Sequence, residues 1–204
     1  MKFNQLKNYD MPNWCYTNYA VRGPKEQVKM LFDAMTELQD MKEPLVENGF
    51  GSAWLGCLVK KLGGNPEKVY CRGSWSELRK KEGDDTVIFF NTEHAWSRPD
   101  EVEDLIMKAY PGLETFFLEE ELGMGIFQTN DTYQEFFPET IIIDEEEEGQ
   151  EYYTMEDALK RLSELKGEPV KNWEEAETFC DAINAAQDEN GGDGHIWLHK
   201  ADIV

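Results

Sequence analysis

Asn13-Trp14-Cys15-Tyr16-Thr17-Asn18-Tyr19-Ala20-Val21 alternates along its length, and Arg22-Gly23-Pro24 then breaks the pattern. Trp14, Tyr16 and Asn18 fall on one face and Cys15, Thr17, Tyr19 and Val21 on the other, the period of a half-buried strand. Gly23 permits a turn. Pro24 suits a first helical position, because its missing N–H would have no partner there in any case. Val28, Leu31, Phe32 and Met35 follow at i, i+3, i+4 and i+7, which predicts a helix from Pro24 to about Gln39.

Working outward, the same alternation of period recurs. Lys68–Leu78 and Thr86–Thr92 read as two strands joined through a Gly/Asp-rich turn, with Val87-Ile88-Phe89-Phe90 the most apolar run. Ser97 and Asp100 around Pro99 suggest an N-terminal cap, and Val102, Leu105, Ile106 and Ala109 form the stripe of a second long helix, stopped by Pro111-Gly112. Leu113–Glu119 and Gly125–Thr129 then close the pattern as a strand pair. Strand, helix, strand, strand, helix, strand is the ferredoxin-like split βαβ order, so the expected fold is α+β, a four-stranded antiparallel sheet with two helices on one face. Between the first helix and the second strand, Ser52 is placed to cap an inserted short helix at about 52–62.

The chain beyond Asp131 reads differently. Residues 111–204 carry 5 Lys/Arg against 25 Asp/Glu, whereas residues 1–110 carry 15 against 17, so most of the formal charge of −22 belongs to the second half. Five adjacent acids, Asp144 to Glu148, repel one another and suggest an acidic linker over 131–153. Thr154 with Asp157 and Asn172 with Glu175 resemble capping boxes. They predict an acidic helical extension over 154–204, packed on a first domain of 11–130, with His195–Ile203 as a final short strand and residues 1–10 as an N-terminal arm.

Composition narrows the function classes. At 40% hydrophobic and 12% aromatic residues, with 6 Trp, the chain can bury a core and is neither collagen, coiled coil nor disulfide scaffold. A strong anion is repelled by phosphate backbones and anionic lipid, which disfavours nucleic acid and membranes as partners. Tyr16, Tyr70 and Phe89 invite comparison with RNA-binding sheets, but the basic stripe such a reader needs is missing. No apolar h-region in residues 1–10 announces secretion, and no apolar run approaches a membrane span. Cys15, Cys57, Cys71 and Cys180 lie far apart, as expected for reduced thiols in a cytoplasmic protein.

Two stretches resemble a known family. Met11-Pro12-Asn13-Trp14-Cys15-Tyr16-Thr17-Asn18 with Val21-Arg22-Gly23 is similar to the opening of the YubB-like proteins of plasmids, phages and integrated mobile elements. Phe90-Asn91-Thr92, Ala95-Trp96-Ser97-Arg98-Pro99, the helix to Tyr110-Pro111 and the stretch from Glu119 to Phe127 resemble that family's later motif. The resemblance covers about residues 11–130. It implies a ferredoxin-like fold and a mobile-element origin, and no settled activity. Arg98 stands where the family pattern has a proline.

Catalytic templates are missing: no phosphate loop, nucleophile elbow, H-E-x-x-H or dinucleotide fingerprint occurs. His195 and His199 have no evident third ligand, and Asp188, Asn190 and Asp193 miss the glycine and terminal Glu of a calcium loop, so neither metal nor cofactor is expected. Asn13, Trp14, Trp75, His94 and Trp96 are candidate ligand-binding residues near strand ends, against the blander reading of the tryptophans as core anchors. Glu164, Glu174, Glu175 and Asp181 are candidates for an acidic surface facing a protein partner. The expected role is a non-catalytic binding or accessory module. The alternatives are a DNA-imitating inhibitor of a basic partner and a small-molecule enzyme of undirected chemistry.

Overall fold

A computed structural model describes residues 13–204; the arm expected over 1–10 lies outside the described residues, as do Met11 and Pro12. Contacts divide the chain into two units, with the boundary after Ile126.

In the first unit, strand β1 (Trp14–Arg22) lies between two antiparallel neighbours, which explains its alternation. β3 (Asp84–Ala95) pairs with it from Trp14–Ala95 to Arg22–Val87, and β4 (Glu114–Glu121) from Tyr16–Glu120 to Arg22–Glu114. Cys15, Thr17, Tyr19 and Val21 are buried, while Tyr16 and Asn18 are exposed. β2 (Gly73–Lys81) lies along the far side of β3. Its register shifts between Ser76 and Arg79, where Glu77 takes a left-handed φ of 52°. Before that bulge the Trp75 N–H donates to the Ala53 carbonyl at 3.1 Å, and Ser74 bridges to Trp54.

Three helices supply the core of this unit. α1 (Lys25–Gln39) starts after Pro24 and buries Val28, Leu31, Met35 and Leu38; Phe32 is only half-buried, under the Lys80 ammonium at 4.9 Å. α2 (Leu55–Lys61) carries no side-chain cap, since the Ser52 hydroxyl donates to the Met41 carbonyl at 2.9 Å instead. α3 (Asp100–Ala109) buries Val102 and Ile106 and also lacks the side-chain cap expected from Ser97, its N-cap being Pro99. Asp100, Glu101 and Glu103 in its first turn favour the positive helix end. These stripes close over Tyr19, Trp75, Ile88, Phe90 and Phe117, with the Tyr19 and Phe90 rings stacked at 4.9 Å. Burying one such side chain contributes roughly 1.5–3 kcal/mol.

The second unit has its own sheet and core. β6 (Ile141–Glu145) is flanked by β7 (Gly149–Tyr153) and β8 (Ile196–Lys200), both antiparallel to it. α4 (Met155–Lys166) begins at Thr154, whose hydroxyl accepts from the Asp157 N–H, and ends at Gly167 with φ 76°. α5 (Trp173–Asn190) begins at Asn172, whose side-chain oxygen accepts from the Glu175 N–H at 2.9 Å. Ile141, Ile143, Ala158, Leu162, Val170, Ala176, Cys180 and Ile196 form the core between helices and sheet. β5 (Ile126–Thr129) runs parallel to β9 (Asp202–Ile203), pairing Gln128 with Asp202.

The expected ferredoxin-like fold is therefore corrected. The larger sheet has six strands in the order β2-β3-β1-β4-β5-β9 and is mixed; a three-stranded sheet accompanies it, and the described residues form five α-helices. The expected helical extension holds strands as well, and β6 and β7 occupy the stretch expected as a linker. Ile141, Ile142 and Ile143 are all buried, so both faces of β6 are covered and no alternation marks the strand. Three of the acids that suggested a loose linker are held from outside the strand pair: Arg161 binds Glu145 at 2.7 Å and Glu148 at 3.0 Å, and Glu146 accepts from the Gly194 and His195 N–H groups. Among the described residues no helix is long and apolar enough to cross a membrane, and all four cysteines are free and buried.

Candidate functional site

The inward face of the first unit's sheet turns from apolar to polar toward the start of β1. Register fixes the arrangement: Cys15 stands opposite His94, and Thr17 opposite both Thr92 on β3 and Glu119 on β4. All five are at most 2% exposed. The Cys15 thiol donates to Glu119 Oε1 at 3.2 Å, and Thr17 Oγ1 lies 2.8 Å from His94 Nε2, a diagonal cross-strand pair.

The turn after β3 brings Arg98 to this cluster. Trp96 adopts a left-handed φ of 69° there, and its N–H donates to the Asn13 carbonyl at 2.8 Å. The Arg98 N–H donates to Glu119 Oε1 at 2.8 Å, while its Nη1 lies 2.5 Å from both oxygens of Glu103. Tyr19 also donates to Glu103, at 2.7 Å, and the guanidinium rests 3.8 Å above the Phe117 ring. A chain of buried polar groups thus runs from β1 to α3.

Burial sets the protonation of the inner members. It lowers the His94 imidazole to about 4, against the opposing pull of the Glu119 charge and the Ser97 backbone, so the ring is neutral near pH 7. Although the Ser97 backbone favours the protonated ring, no group meets hydrogen-bond geometry at His94 Nδ1. Burial, then the hydrogen bond to and charge of Glu119, push the Cys15 thiol well above its ordinary value. A thiol that donates to a carboxylate and stays protonated is no activated nucleophile.

The five residues expected to bind a ligand do not share one surface. Trp75 and His94 lie on the buried face, at 2% and 0% exposure; Trp14 points to the opposite face of β1 and is half-buried; Asn13 and Trp96 are exposed. An open cavity of ≈ 580 Å³ in this unit is lined instead by residues such as Trp54, Lys60 and Glu67. Cys15, Thr17 and Glu119 were missed. Their signal was available as polar residues at inward positions of strands that are otherwise apolar.

In the second unit, Glu164, Glu174 and Asp181 are exposed, while Glu175 is half-buried and accepts the Lys171 N–H at 3.0 Å, closing the start of α5. Exposed Glu177 and Asp188 share the face of Glu174 and Asp181, at offsets of 3, 7 and 14 from Glu174. Glu177, Asp181, Trp197 and His199 line a groove of ≈ 330 Å³ between α5 and β8. His195 does not act with His199: its ring nitrogens lie 2.8 Å from Glu146 and 3.1 Å from Asp188.

Comparison of the chain with family models, curated proteins and solved structures finds no match.

Proposed function

We propose that the protein is a non-catalytic binding module that presents the acidic face of α5 to a basic protein partner. The observation that carries this reading is the order of the charge. α5 contains six Asp/Glu and no Lys or Arg, and Ala176 and Cys180 anchor it in the core while Asn172 and Gly191 close its ends. Along the face shared by Glu174, Glu177, Asp181 and Asp188 the axis rises about 21 Å, roughly 7 Å between carboxylates, close to the spacing of every second phosphate along one DNA strand at ~3.4 Å each. Such a face imitates a nucleic-acid strand toward a nuclease or other basic DNA-binding protein. The resemblance to YubB-like proteins gives this reading a setting, since a mobile element gains from occupying a host's basic defence proteins.

The test uses a Lys/Arg-rich DNA-binding domain as probe, with duplex DNA as competitor. Attraction between ordered charges weakens as the screening length falls from ~10 Å at 0.1 M salt to ~3 Å at 1 M. Affinity is expected to drop steeply along a salt series, and Glu174→Gln, Glu177→Gln, Asp181→Asn and Asp188→Asn together are expected to weaken it at least tenfold. Equal affinity of parent and variant with a flat salt response overturns the proposal.

A further inference from the structure

We propose that Cys15, His94 and Glu119 form a binding site for a thiophilic divalent metal ion, Zn²⁺ by chemical class, that ties β1, β3 and β4 together. One donor atom from each side chain lies within 4.8 Å of the other two, and all three residues are buried. The Cys15 Sγ to Glu119 Oε1 separation is 3.2 Å, close to the edge of roughly 3.5 Å that Zn–S and Zn–O bonds of ~2.3 and ~2.0 Å give in a tetrahedron. The widest separation must close by about 1.5 Å at most, a small side-chain rotation.

A second observation comes from the imidazole. His94 is fully buried, Thr17 engages its Nε2 at 2.8 Å, and no group meets hydrogen-bond geometry at its Nδ1. The metal-binding tautomer is the one whose Nε2–H donates to the Thr17 hydroxyl, which leaves the lone pair on Nδ1, the outer-shell arrangement by which proteins orient metal-binding histidines. An unpartnered buried ring nitrogen is costly unless something occupies it. Sulfur and imidazole donors select zinc-like ions over calcium or magnesium.

Charge balance fits the burial. Binding displaces the Cys15 proton to solvent and forms one metal–thiolate bond, so the dication meets one thiolate, one carboxylate and a neutral imidazole. The adjacent Arg98 charge is matched by Glu103, so the sum over the buried cluster is zero, the state least penalised away from water. Three protein donors leave a fourth position of the ion for a solvent oxygen.

The experiment titrates Co²⁺ and Zn²⁺ into the full chain after chelator treatment. Expected are one ion per chain, a thiolate-to-cobalt charge-transfer band that Zn²⁺ abolishes, and about one proton released per ion. Cys15→Ser is expected to remove the band and Thr17→Val to weaken affinity 10–100-fold, while Cys180→Ser leaves both unchanged. Since a variant can fail to fold, ¹¹³Cd resonance of the unaltered protein gives an independent reading: a shift typical of one sulfur with nitrogen and oxygen donors supports the site. An all-oxygen shift, a missing charge-transfer band, or a band that survives in folded Cys15→Ser overturns it.

Discussion

Arg98 Nη1 stands 2.5 Å from both carboxylate oxygens of Glu103, with the two side chains only 18% and 10% exposed. The pair joins the turn after β3 to the first turn of α3. Burial alone would lower the Arg98 pKa, but Glu103, Tyr19 and Asp100 together hold it above its ordinary value, so the guanidinium keeps its charge. Arg98→Met leaves Glu103 without its counter-charge and removes the 3.8 Å ion pair with Glu119, while the backbone N–H to Glu119 remains. The expected loss is about 3–5 kcal/mol, read as a lower urea midpoint; Arg98→Met with Glu103→Leu recovers only part of it, because a buried pair exceeds an apolar replacement by little but the buried Tyr19 hydroxyl loses its acceptor at a cost of about 1–3 kcal/mol.

The helix stripes give a second expectation. Leu31 and Ile106 in the first unit and Leu162 in the second are buried to 2% or less. Each truncated to Ala costs about 2–5 kcal/mol. Met30, 56% exposed on the same helix as Leu31, changes stability by less than about 0.5 kcal/mol when made Ala. Chemical unfolding of the four variants checks the ranking; equal midpoints for Met30→Ala and Leu31→Ala contradict the packing.

Within the second unit, pH acts through Glu146 and His195. Hydrogen bonds from the His195 side chain and then the backbone N–H groups of His195 and Gly194 lower the Glu146 pKa; hydrogen bonds to Glu146 and then Asp188 raise that of His195. A raised histidine stabilises fully below its unfolded value near 6.5 and loses this as pH rises through the folded value. A lowered carboxylate stabilises fully above 4.5 and loses this as pH falls through its folded value. Both contributions are complete between these limits. An NMR titration is expected to place the His195 ring above 6.5, and His195→Gln to flatten the alkaline side of the stability profile.

Gly73 is the position where a methyl group has least room near the polar cluster. A Cβ there would lie 2.3 Å from the Glu93 carbonyl oxygen and 2.7 Å from the His94 Cα. Gly73→Ala is expected to cost about 1–3 kcal/mol as overpacking, whereas Gly49→Ala, with nothing within 4 Å, leaves the melting temperature near that of the parent.

Local signals in the sequence were strong where one face of an element meets water. The alternation of Trp14–Arg22, the spacing of Val28, Leu31 and Met35, and the capping residues Thr154 and Asn172 all correspond to observed elements. What failed was long-range pairing and whatever is buried on both sides. Ile141–Ile143 has no alternation to read, and Asp144–Glu148 looks self-repelling until Arg161 and His195 are brought to it from far along the chain. The buried cluster was illegible for the same reason: Cys15, His94 and Glu119 are separated by 79 and 25 residues, and only strand register brings them together. The acidic surface was partly legible, since helical periodicity alone places Glu174 and Asp181 on one face, and the capping-box spacing from Asn172 already marked Glu175 as a helix closure; that it accepts from the Lys171 N–H needed coordinates.

The bulge in β2 bears on what the edge of the larger sheet can pair with. β2 ends the larger sheet, and an outermost strand with free N–H and C=O groups invites another chain to add on. Its first part is already occupied by Ala53 and Trp54, and its remainder is bent at Glu77 and lined by Arg79, Lys80 and Lys81. A second copy sliding alongside would meet three cations of its own kind and a backbone kinked out of register. The bend and the charge thus disfavour edge-to-edge pairing along this strand, the way bulges and lysines guard exposed sheet edges in other folds.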